Sequence, residues 1–234
     1  MRSVFITAML LASGAFAQTA AGLDGVWVRG GGGGRGGPTT QWSPDPLAFT
    51  PAGKKQLEAN KPGKGPRAVV PAFGNDPMGG ANPPGLYRTL IYNRPFEMVQ
   101  LPGRVVQLFE WDKIWRVIWT DGRPVPDDIP EGPYWYGYSV GKWEGDTMVI
   151  DTIGFNDRGW IDTEKGRPQT QALHVIERFR RLNVGTMELG ITIDDPKAYT
   201  KPWTVKFNLN LVPDTELIET VCENSRNVEH MVGK

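Results

Sequence analysis

Three carboxylates stand in runs of otherwise apolar residues. Glu177 alternates with Leu173, Val175 and Phe179, Glu110 follows Val106 and Leu108 at the same spacing, and Glu219 lies between Leu217 and Val221. A spacing of two puts each set on one face of a strand, so each acid is expected on a buried face. A carboxylate taken out of water must be paired or protonated, because its bare charge is costly there. Desolvation also strengthens its hold on a proton, which suits it to general acid–base work. On that reading Glu177 and Glu110 are the acid and base, and His174 shares the proton transfer. Arg116 and Arg178 then hold an anionic group or tune the acids. The same residues also read as structural ion pairs, with Arg116 or Arg178 as the counter-charge.

His174 opens the strand that carries Glu177 and shares a face with Ile176, Arg178 and Arg180, its more polar side. It reads as a general base or ligand-binding group, or as a hydrogen-bonding residue at a rim. The second histidine, His230, is far away in sequence, so no transition-metal ligand set is expected. Asp194-Asp195-Pro196 lacks the ligand spacing of a calcium loop and reads as a structured turn. Cys222, the single cysteine, excludes an internal disulfide; beside Glu223 it reads as an inert thiol, not a nucleophile. No nucleotide or flavin fingerprint occurs, so no organic cofactor is expected. Two aromatic stretches complete the candidates: Tyr134-Trp135-Tyr136, and the loop Gly154 to Asp162 with Asn156 and Trp160. They form either a mouth that stacks on a ring-bearing ligand or rings that close the end of a core.

The elements that must position these groups are mostly strands. From Phe96 onward the period is two, and runs pair as hairpins: Val105 to Trp111 with Ile114 to Thr120, Tyr138 to Trp143 with Thr147 to Gly154, Leu173 to Arg181 with Thr186 to Ile193, and Trp203 to Val212 with Glu216 to Cys222. Gly25 to Val28 reads as a first short strand. Together they predict an all-β fold, an antiparallel barrel of roughly 8–10 strands. Residues 38 to 102 hold twelve of the twenty prolines. Proline removes a ladder donor, so this stretch is expected to wrap the barrel as extended coil. One helix fits inside it, with Thr50 as N-cap, Pro51 at its first position and Ala52 to Ala59 following. Arg29 to Gly37, seven glycines and two arginines, reads as a tether.

Composition narrows the function further. Lys+Arg and Asp+Glu are equal at 26 each, with no basic run, which argues against a nucleic-acid partner. Arg2, the apolar run Val4 to Phe16 and Ala15-Phe16-Ala17 make a cleavable export signal, too short for a membrane span. The organisation expected is therefore a signal peptide over 1–17, a tether with the first strand over 18–37, and one barrel domain over 38–234, exported to the periplasm or beyond. Oligomeric state is not legible.

Three longer motifs add a resemblance. Val140 to Thr152 (VGKWEGDTMVIDT), Leu173 to Phe179 (LHVIERF) and Asp195 to Trp203 (DPKAYTKPW) resemble a large family of secreted bacterial β-rich proteins, and Pro95 to Gln100 and Cys222-Glu223-Asn224 fit it too. The resemblance runs from about Asp24 to the C-terminus and implies export and a lipocalin-like barrel, but no particular reaction. This chain departs from the family's pattern twice: it has no cysteine near Met78 to Asn82, and Thr170-Gln171 replaces a Ser-Glu pair. Two functions follow as expectations. One is acid–base chemistry on a small, partly aromatic or apolar compound, of the hydratase, lyase, isomerase or hydrolase type. The other is a periplasmic carrier or binding module without catalysis.

Overall fold

The computed structural model describes residues 22–30, 43–92, 94–129 and 131–220. The signal segment, most of the glycine-rich tether, Cys222 and His230 lie outside the described residues.

Nine strands close a barrel in chain order: β1 (Gly25–Arg29), β2 (Phe96–Leu101), β3 (Arg104–Phe109), β4 (Trp115–Trp119), β5 (Tyr138–Glu144), β6 (Thr147–Ile153), β7 (His174–Asn183), β8 (Thr186–Asp194) and β9 (Trp203–Leu211). Short turns join most neighbours, and glycines with positive φ make two of them, Gly103 (74°) and Gly145 (64°). β1 closes the circle by pairing with both β2 and β9.

The barrel departs from the expected antiparallel one at a single seam. β4 and β5 run parallel and share only the pairs Ile118↔Ser139 and Trp119↔Val140. Parallel neighbours need a return crossing, which residues 120–137 provide. The hairpin expected from Trp203 to Cys222 also does not form. β9 ends at Leu211, and within 212–220 only Thr220 bridges, to Trp111.

The inward faces follow the strand period: Val175, Glu177 and Phe179 on β7, Leu189 and Ile191 on β8, and Val205 and Leu209 on β9 are all buried. The proline-rich region is more structured than its composition predicts. Helix α1 (Pro51–Ala59) forms as expected, with Thr50 Oγ1 accepting from Gly53 N at 3.0 Å. A second helix, α2 (Leu86–Ile91), is unexpected, and all six of its residues are buried. Leu86 and Leu90, like Tyr87 and Ile91, are four apart and lie on shared faces. Tyr87 packs edge-on to Trp203 at 5.6 Å, Thr89 bonds Tyr136 at 3.1 Å, and Arg29 donates to the Ile91 carbonyl at 3.2 Å. These partners flank the end of β1 and the starts of β5 and β9, so α2 plugs that end of the barrel.

Candidate functional site

Glu177 faces the barrel interior and is fully buried, as its alternation predicts. Arg116 of β4 grips both of its oxygens, Nη1 to Oε2 at 2.8 Å and Nη2 to Oε1 at 2.6 Å. Two parallel charge-assisted bonds of this kind are the strongest pairing a carboxylate finds in a protein. Arg116 Nε donates to Gln107 Oε1 at 2.7 Å and Nη1 to Ser139 Oγ at 3.3 Å, while Ser139 Oγ lies 3.0 Å from Thr152 Oγ1. Gln107, Arg116, Ser139, Thr152 and Glu177 thus come one each from β3 to β7, and all are buried. The facing wall, β8, β9, β1 and β2, contributes Ile191, Val205, Trp27 and Met98. The interior is amphipathic, with a polar belt along one side. Gln107 Nε2, although fully buried, has no partner among the described residues. Turning the amide would set two donors against each other, since Arg116 Nε–H needs the oxygen.

The other sequence candidates disperse. Glu110 is buried but lies just past the end of β3 and outside the barrel. Its Oε2 accepts from Ile218 N at 3.3 Å, and Arg94 stands 3.8 Å away. The inward residues of β3 are Val105, Gln107 and Phe109, while Val106 and Leu108 point outward and are half-buried. The face read for Glu110 is therefore wrong by one residue, and Glu110 stands outside the polar belt that holds Glu177. Glu219 is exposed and pairs with Lys113 at 3.2 Å. Arg178 points away from Glu177, as adjacent strand residues must, and pairs with Glu144 at 2.9 Å on the outer face.

The aromatic candidates divide in the same way. Tyr136 turns into the core against Phe109. Trp160 is buried beside the Arg88 guanidinium, 5.5 Å from its ring centre, and Trp135 is half-buried beside Arg158 at 5.0 Å. Tyr134 is exposed, and its backbone pairs with that of the Phe155 loop. Asn156 is buried; its Oδ1 accepts from Arg158 N at 3.0 Å, and its Nδ2 has no partner among the described residues. Burial drives the phenols of Tyr87, Tyr136 and Tyr199 well above the ordinary tyrosine range, so they act as neutral core groups. Asp195 is buried and accepts from Thr170 Oγ1 at 2.8 Å and from Ala198 N at 3.2 Å, which makes its segment a turn, as read.

His174 sits at the plugged end, on the outer face. Its Nε2 lies 3.0 Å from Asp151 Oδ1 of the neighbouring β6. In this contact Nε2 is the nitrogen that faces the carboxylate, and Nδ1 is the one left for another partner. The imidazole forms one wall of a hollow of about 410 Å3 between the strand ends and the crossing segment. Its lining is mixed: Ile129 and Ile153 give apolar surface, Phe155 and Leu173 lie buried beneath it, and Asp127, Asp128, Gln171 and His174 make it polar. Asp151, Asp127 and Asp128 carry no sequence signal as site residues. Only the cross-strand pairing of β6 with β7 brings Asp151 to the histidine. Among the described residues no group of three or more His, Cys, Asp or Glu is placed to hold a metal ion, and no helix is long and apolar enough to cross a membrane. Compared with models of protein families, with curated proteins and with solved structures, the chain matches none of them.

Proposed function

We propose that this barrel binds a small, partly apolar or aromatic compound at the hollow beside His174, as a lipocalin-like binding module of the periplasm. One observation carries the reading: an open, ligand-sized hollow of mixed polar and apolar lining holds an imidazole that Asp151 contacts at 3.0 Å. Export rests on Arg2, the Val4 to Phe16 run and Ala15-Phe16-Ala17, and on the resemblance to secreted proteins. The proline-rich stretch is proposed to clothe the barrel outside its strands, as the Phe49↔Tyr199 bridge supports. The bidentate grip of Arg116 on Glu177 favours its reading as a structural ion pair, so the proposed site is centred on His174 instead.

The acid–base reading survives in a changed form. A base oriented by a carboxylate is a recurring catalytic arrangement, and His174 with Asp151 fits it without Glu177 or Glu110. The test is a thermal-shift screen of small aromatic and apolar compounds, repeated on His174→Gln and Ile129→Asp. Ligands of this hollow raise the melting temperature of the parent and lose that effect in both variants, since binding stabilises by mass action. Hits that act equally on all three proteins would refute the site. Chemical conversion of a hit by the parent, lost in His174→Gln, would favour the enzyme over the carrier.

A further inference from the structure

A second hollow, of about 390 Å3, lies on the outer face of strands β6 to β9. Register defines its centre. Arg178, Gly190 and Lys206 are direct cross-strand partners in one row, so a glycine stands between two cations. The row on one side is Arg180, Glu188 and Asn208, and on the other Ile176, Thr192 and Thr204. Two strand spacings separate the cationic residues, roughly 10 Å between their backbones.

Gly190 needs explaining, because glycine weakens a strand interior. The backbone does not demand it: its φ is not positive, and an added Cβ would meet only the flexible Lys206 side chain, at 3.6 and 3.8 Å. What the glycine provides is a low point in the sheet surface: Gly190 is itself buried, and the Lys206 stem lies over it at van der Waals distance. The charges around that point are unequally matched. Arg180 pairs with Glu188 at 3.4 Å, and Arg178 gives one nitrogen to Glu144. Asp146 accepts from Thr147 Oγ1 at 3.0 Å, and Thr192 and Thr204 share a hydroxyl contact of 2.8 Å. Lys206 has no acceptor among the described residues, and the remaining N–H groups of Arg178 are uncommitted.

We propose that this slot binds an oxyanion, a carboxylate, phosphate or sulfate group of a small molecule, seated at the Gly190 row between the Arg178 guanidinium and the Lys206 ammonium. A guanidinium presents a planar fork to such a group and the ammonium a mobile second charge. The slot is separate from the His174 hollow, roughly 13 Å away along β7 from the spacing of four residues, and does not depend on it.

The test titrates inorganic phosphate, sulfate and acetate separately into the full chain at constant ionic strength, following the Gly190 amide by nuclear magnetic resonance. A saturable shift with at least one anion is expected, and the preferred anion identifies the group. Lys206→Gln weakens that binding about tenfold, the loss expected for one charged hydrogen bond. Gly190→Val fills the low point and abolishes binding while keeping or raising the melting temperature, since valine favours strands. Should Gly190→Val lower the melting temperature, the exposed Lys206→Gln decides alone. A shift that does not saturate, that follows ionic strength whatever the anion, or that saturates with unchanged affinity in Lys206→Gln overturns the proposal.

Discussion

Arg116 and Glu177 are a charged pair enclosed by a barrel, and the other groups beside Arg116, Gln107 and Ser139, are neutral. Glu177→Gln leaves the guanidinium facing a neutral amide, and the chain should lose about 3–5 kcal/mol in chemical denaturation. Replacing both partners, Arg116→Met with Glu177→Leu, removes the unpaired charge, and that double variant should recover most of the loss. A small loss for Glu177→Gln alone would mean that solvent reaches the pair. Glu177 was legible because β7 is long and its outward side, Arg178 and Arg180, is plainly polar. Glu110 was not. Strand β3 has apolar residues on both faces, and its inward face carries Gln107, so polarity could not say which side was in. The same inversion hid Gln107, Ser139 and Thr152. Small polar residues on a strand look like the wet side unless an arginine on the neighbouring strand is known to need them.

Helix α1 shows how much an element depends on what it meets. Thr50-Pro51 marks its start in sequence, and the helix begins there. Gly53 looks like a flaw in it, since alanine is the better helix former. In the fold an added Cβ would sit 2.0 Å from the Ala198 carbonyl oxygen, because the helix backbone lies directly on the turn built by Asp195. Gly53→Ala should therefore destabilise, by about 1–3 kcal/mol as overpacking does, where helix propensity alone predicts a gain. An increase in denaturation midpoint would show that α1 can move off the turn. Helix α2 escaped notice for a related reason. Its polar residues, Arg88 and Thr89, are buried with the apolar four, and six residues are too few to show a helical period. The parallel seam between β4 and β5 was equally hidden, because strand direction is set by the path of residues 120–137 and not by the pattern within either strand.

For the whole molecule, burial of tyrosines predicts how the barrel fails in alkali. Tyr87, Tyr92, Tyr136 and Tyr199 all have phenols raised above the ordinary value of 10, chiefly by desolvation. The native state keeps these protons while the unfolded chain releases them near pH 10, so their contribution is complete below that pH and falls as pH rises above it. Phenolate absorbance should show these four rings titrating together with the loss of native circular dichroism. Smooth titration of all six tyrosines in a folded barrel would contradict the burial described.

Closure of the circle by β1 and β9 also has a consequence in time. The pairs Trp27↔Leu211 and Arg29↔Leu209 join residues from opposite ends of the chain, so the ring stays open until nearly the whole polypeptide is available. Contacts this distant in sequence slow folding. Until they form, β1 and the growing strand each present an unpaired edge, the kind of surface on which one chain recruits another. Arrival of β9 removes both edges at once. A chain truncated anywhere before Trp203 would therefore keep two sticky rims, however well its remaining hairpins formed.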